Sequence, residues 1–248
     1  MNRKIITYCC FCLFANALQS QGPVWESISK DKMAKVFEQT SSWFKNTSHY
    51  SVNVTHASFE TWSKTVPFEK STGYFKKEAE NYHSFILGIH TIQNSKYKIV
   101  LDTANKTMIV ASVGKSIWNA YTLEDYQYTL KSCTSIKMTN FGKDKKYRLE
   151  YGEGYPLERY ELLVANDGLI KEVTMYYSKK IPRNPDDENS EKVKPRLNIT
   201  FTGYKKAPSG TDDNEFDENR YFIKKGNKLL PAKRYQNYTL SDQRLTLD

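Results

Sequence analysis

Cysteine is nearly missing from the sequence once its first residues are set aside. Of four cysteines, Cys9, Cys10 and Cys12 lie in an apolar stretch near the start, and only Cys133 lies beyond it. One Cys cannot pair within its own chain, so the part after residue 21 is excluded from the disulfide-stapled class. Cys133 reads as a small buried apolar residue. A catalytic thiol needs a His and an orienting group, and no signature supplies them. The other short motifs of catalysis are missing too. There is no Gly-rich phosphate loop, no G-x-S-x-G, no H-E-x-x-H, and no C-x-x-C after residue 21. Histidine is scarce: His49, His56, His83 and His90 form two pairs at a spacing of seven. On one strand an odd spacing puts the members on opposite faces, which makes a poor metal clamp. The reading is therefore of no catalytic residue, no metal site and no cofactor.

Carboxylates are present, as Glu78 with Glu80, Glu150 with Glu153, and Asp186-Asp187-Glu188. A secreted hydrolase with paired carboxylates would need two of them across one cleft, and this is the second alternative reading. Positive charge exceeds negative, with a formal net charge of +9. It is spread in pairs such as Lys76-Lys77, Lys145-Lys146 and Lys179-Lys180, as expected where Lys blunts strand edges. No basic helix or aromatic nucleic-acid motif appears, so nucleic acid is not an expected partner. The N-x-S/T triplets at Asn46, Asn53, Asn105, Asn198 and Asn237 are what an Asn-rich sequence produces incidentally.

Residues 1–21 read as a secretory signal peptide. Arg3 and Lys4 precede an apolar run, Ile5 to Leu13, and a small-x-small site at Ala15 and Ala17. The run is shorter than the roughly 20 apolar residues of a membrane helix. The expectation is an exported protein of the periplasm or cell envelope, with residues 22–248 forming a single β-rich domain.

Periodicity then supplies the fold. Met33, Val36, Phe37, Thr40, Trp43 and Phe44 follow helical spacing and predict an amphipathic helix over Ser29 to Lys45. From Tyr50 the period becomes two, with Tyr and Phe (18 and 12 residues) abundant on the pleated surface. Asp102 to Lys106 and Asn166-Asp167-Gly168 read as hairpin turns. A short second helix is expected from about Leu123 to Ser132. Lys179 to Lys194 and Lys205 to Asn219 read as polar loops, and Tyr221-Phe222-Ile223 and Tyr235 to Leu240 as closing strands. The class predicted is mainly β (α+β): about ten antiparallel strands in a curved sheet or incomplete barrel covered by two helices.

Six segments in this order resemble the LolA/LolB-like lipoprotein-carrier family. They are the helix Ser29 to Lys45, the strand Tyr50 to Thr55, Gly73-Tyr74-Phe75-Lys76, Tyr147 to Tyr151, the Asn166 to Ile170 hairpin, and Arg196 to Tyr204. That family's D-G hairpin after the middle strands is replaced here by Asp102 to Met108. The resemblance implies a LolA-like incomplete barrel with an apolar inner face, holding an acyl chain of a lipid or lipoprotein under its helices. The covering-helix residues Met33, Val36, Phe37, Trp43 and Phe44 are then the candidate ligand-binding residues. The alternative is a structural or assembly component of the envelope, with envelope proteins as partners.

Overall fold

A computed structural model describes residues 23–113, 123–183, 187, 189–206 and 214–244. Residues 1–21, read from the sequence as a signal peptide, lie outside them. After a two-residue strand β1 (Glu26–Ser27), helix α1 spans Lys30–Asn46. It starts there because Ser29 caps it, its Oγ accepting from the Lys32 amide at 3.2 Å. Asp31 in the first turn and Lys45 in the last complement the helix dipole. Six strands follow as a meander: β2 (His49–Phe59), β3 (Glu69–Glu78), β4 (Asn81–Ile86), β5 (Ile89–Gln93), β6 (Tyr97–Asp102) and β7 (Thr107–Ser112). The β6–β7 turn is set by Asp102, whose Oδ1 accepts from the amides of Ala104 and Asn105.

Helix α2 (Leu123–Lys131) leads into a second meander. Its strands are β8 (Cys133–Phe141), β9 (Asp144–Tyr151), β10 (Leu157–Val164) and β11 (Ile170–Tyr177). A small hairpin, β12 (Ile181–Pro182) with β13 (Lys192–Val193), interrupts the predicted 179–194 loop. Then β14 (Arg196–Lys206) returns to pair antiparallel with β2, joining the two meanders. The remaining strands are β15 (Phe222–Lys225), β16 (Lys228–Pro231) and β17 (Thr239–Gln243).

The main sheet has 13 strands in the order β1-β8-β9-β10-β11-β14-β2-β3-β4-β5-β6-β7-β17. It does not close, since β1 and β17 are its two edges. All its pairs are antiparallel except β17 with β7, which is parallel. The protein is thus mainly β, a large curved sheet with two α-helices among the described residues, as the period-two pattern predicts. The expected closing strand Tyr235 to Leu240 is shifted: Lys233–Tyr235 is a 3-10 turn, and the strand starts at Thr239. No helix among the described residues is long and apolar enough to cross a membrane.

One sheet carries two cores, on opposite faces. Under the helices, Tyr50, Val52, Val54, Leu149, Leu162, Val173, Ile199 and Phe201 pack with Met33, Phe37 and Phe44. On β5–β7 the buried set is Ile92, Ile99, Leu101, Met108 and Val110, covered by Phe216, Tyr221, Phe222 and Leu229. The register shows the change of face. Val52 pairs with Phe75 and Phe75 with Ser84, whereas Ile92 pairs with His83 and His83 with Lys76, one residue out of step. A one-residue offset along a strand is a change of face.

Candidate functional site

The helix-covered face is filled at one end and open at the other. At the filled end α1 lies by the start of β2 and the β10–β11 hairpin. Trp43 and Phe44 pack on Tyr50 at 5.3 and 5.6 Å and on Tyr204 at 5.5 and 6.4 Å between ring centroids. Tyr204 donates its hydroxyl to the Ile170 carbonyl at 2.7 Å. Phe37 stacks on Tyr126 of α2 at 4.0 Å, with the rings 4° from parallel. Burial pushes the Tyr50 and Tyr204 hydroxyls well above their ordinary pKa, as expected of a dry interior.

At the opposite strand ends lies a cavity of about 750 Å³. Its walls come from the end of β2 (Ser58), the start of β14 (Pro195, Arg196, Leu197), the end of β11 (Tyr177, Ser178) and the β9–β10 turn (Gly154, Tyr155, Pro156), with Phe68, Lys179 and Ile181 at the rim. Leu197 pairs with Ser58 on one side and Met175 on the other, which places it on the helix-covered face. Tyr155 and Leu197 pack directly against the first core, so the cavity continues it.

Backbone hydrogen bonds hold the rim and leave the side chains free to line it. The Phe68 amide donates to the Ser58 carbonyl at 2.9 Å, and the Ser178 amide to that of Pro156 at 3.0 Å. Ser178 Oγ donates to the Tyr155 carbonyl at 2.5 Å. Tyr155 stacks on Tyr151 at 4.2 Å. Phe68 and Ile181 remain 61% and 43% exposed, apolar groups standing in water at the mouth. Among the described residues the lining contains two cations and no carboxylate.

The helix stripe is brought together but not exposed to this cavity. Met33, Phe37 and Phe44 are buried, Val36 and Trp43 half-buried, and none of the five lines the opening. The carboxylates singled out by sequence are elsewhere. Glu78 pairs with Lys76 at 2.8 Å, and Glu150 accepts from Ser135 at 2.7 Å. Glu153 lies exposed in the β9–β10 turn, and Asp186 and Glu188 lie outside the described residues. Cys133 is buried, and burial raises its thiol pKa. A smaller cavity of about 340 Å³ lies between the start of α1 and β8, half of its lining Ser and Thr.

A LolA superfamily protein is among the structural neighbours. This one, from Nitrosomonas europaea, has a TM-score of 0.30 and 10% identity, over 74% of this chain and 96% of its own. The lipoprotein LppX of Mycobacterium tuberculosis has a TM-score of 0.39 and 9% identity, over 74% and 100%. A DUF1329 family protein from Desulfovibrio piger has 0.31 and 9%, over 74% and 96%. No family model matches the sequence, and no curated protein does.

The histidine spacing misled. His83 and His90 are on adjacent strands, β4 and β5, because the seven-residue interval contains the Leu87-Gly88 turn. They share a face, with His83 Nε2 2.9 Å from His90 Nδ1. On its other side His83 Nδ1 bonds Glu215, which also takes Lys76 Nζ at 2.6 Å. Burial and the neighbouring His83 hold His90 below its ordinary pKa. Among the described residues no three His, Cys, Asp or Glu side chains could hold a metal ion. The group instead clamps the 214–244 segment to the sheet.

That clamp has a pH signature. The bonds from His83 and Lys76 lower the Glu215 carboxyl from 4.5 to about 2. A depressed carboxylate stabilises the fold above its unfolded pKa, and that contribution is lost as pH falls from 4.5 towards 2. Glu215→Gln is expected to destabilise at pH 7, with the gap from the parent closing as pH drops through that window. Urea midpoints at pH 7, 4 and 2.5 check this. A gap that stays constant with pH would show the clamp is not formed.

Proposed function

We propose that the protein is exported to the periplasm or cell envelope and, without catalysing a reaction, holds an acyl chain of a lipid or lipoprotein. The chain lies in the open end of the helix-covered face, and α1 closes the other end. The observation that carries this is the apolar cavity of about 750 Å³ running into the first core. Its size falls within the roughly 300–1,000 Å³ of small-molecule sites. Each CH₂ removed from water contributes about 0.8 kcal/mol, so ten contribute on the order of 8 kcal/mol before association costs. Deeper insertion would require α1 to part from the sheet along Met33, Val36, Phe37, Trp43 and Phe44.

The test is native mass spectrometry after gentle extraction, together with displacement of a fluorescent fatty acid. Copurified lipid and saturable probe binding are expected. Leu197→Trp places an indole in the cavity from a half-buried position, so it should abolish probe binding with the melting temperature little changed. Normal binding by a folded Leu197→Trp would show the site is elsewhere.

A further inference from the structure

The charge around the cavity selects among acyl ligands, given the acyl-binding reading above. We infer that the site takes a single-chain amphiphile with an anionic headgroup, a carboxylate or a phosphate, and that Lys179 receives that headgroup. Of the two cations in the lining, Arg196 is already engaged. Its Nη1 and Nη2 donate to the carbonyls of Trp62 and Lys64 at 3.1 and 2.9 Å, and its guanidinium lies 3.9 Å over the Phe59 ring. Lys179 is exposed and makes no ion pair among the described residues.

Among the described residues the neighbouring carboxylates leave Lys179 unneutralised. Glu158 holds Lys194 at 2.5 Å, and Glu60 faces Arg183 at 3.4 Å. Glu69 and Glu153 adjoin lining residues in sequence but do not line the cavity. An apolar chamber that, among the described residues, has one uncommitted ammonium at its mouth and no acid in its wall is complementary to a tail with a negative head. The volume of about 750 Å³ suits one tail rather than several.

The experiment uses three probes with the same palmitoyl tail: palmitate, lysophosphatidylglycerol and neutral monopalmitoylglycerol. Each is titrated against the parent and against Lys179→Glu, a rim change that leaves the core untouched. At least one anionic probe should bind more tightly than the neutral one. Lys179→Glu should weaken that anion roughly tenfold, by removing one attraction and adding one repulsion. The neutral probe should be unaffected. Which anion shows the preference tells carboxylate from phosphate. Equal affinity for all three probes, or an equal effect of Lys179→Glu on all three, overturns the headgroup inference and leaves acyl binding intact. Dipalmitoyl phosphatidylglycerol bound as tightly as its one-chain relative overturns the single-chain part. Failure of all three to bind overturns the acyl-binding reading itself.

Discussion

Phe37→Ala is expected to lower the stability of the protein by about 3–5 kcal/mol, the cost of deleting a buried phenyl ring. Phe37 is 2% exposed and sits at the junction of three elements. Its ring stacks on Tyr126, and it packs in the same core as Met33 and Tyr50. Removing it leaves a cavity and also unpairs the stack, a contact worth roughly 0.5–1.5 kcal/mol beyond area. Set against a typical total of about 5–15 kcal/mol, the loss is a large share of the stability. Urea unfolding followed by circular dichroism measures it. A loss under about 1 kcal/mol would mean that α1 and α2 do not share a packed seam.

Gly73→Ala should be nearly as damaging, for a reason unrelated to burial. A Cβ at Gly73 would stand 1.9 Å from the Phe85 carbonyl oxygen and 3.0 Å from its carbon. Both are backbone atoms of the neighbouring strand, so no side-chain rotation relieves the clash. Either β3 and β4 separate or the pairing is lost, and about 2–4 kcal/mol is the expected cost. Gly152→Ala is the control, because its Cβ would meet only Thr134 Cγ2 at 3.4 Å. The control should be neutral, or stabilising by about 0.4–1 kcal/mol through a less flexible unfolded chain. Equal melting temperatures for the two variants would refute the close approach at Gly73.

Gly73 also shows what a sequence discloses and what it hides. Its place just before the aromatic pair Tyr74-Phe75 is readable, but the carbonyl that requires a glycine there belongs to β4, and turn geometry puts it in position. Likewise α1 was legible to within a residue, because Ser29 caps it and its apolar stripe is helical. The hairpins at Asp102 and at Asn166-Asp167-Gly168 were legible from turn chemistry. The second core was not. Alternation marks Ile99 and Leu101 as facing one way, yet cannot say that this is the reverse of the face shown by Val52 and Val54. The cavity was missed for a related reason. Ser58, Tyr155, Tyr177 and Leu197 come from four separate stretches, three ordinary strand ends and a turn, and it is the β14–β2 pairing that adds Ser58 to the rest. His83 and His90 failed for the simplest cause, a turn inside the interval.

The two-faced sheet bears on how the chain is made. Ile92, Ile99, Leu101, Met108 and Val110 are synthesised well before Phe216, Tyr221, Phe222 and Leu229, which shield them. The whole second meander and β14 are written in between. Contacts so distant in sequence form late. During that interval the first meander presents a bare apolar surface and an unpaired edge, the combination that feeds aggregation. A chain built this way gains from being kept unfolded until its last strand has been made. Its yield should therefore depend on holding factors acting on the nascent polypeptide.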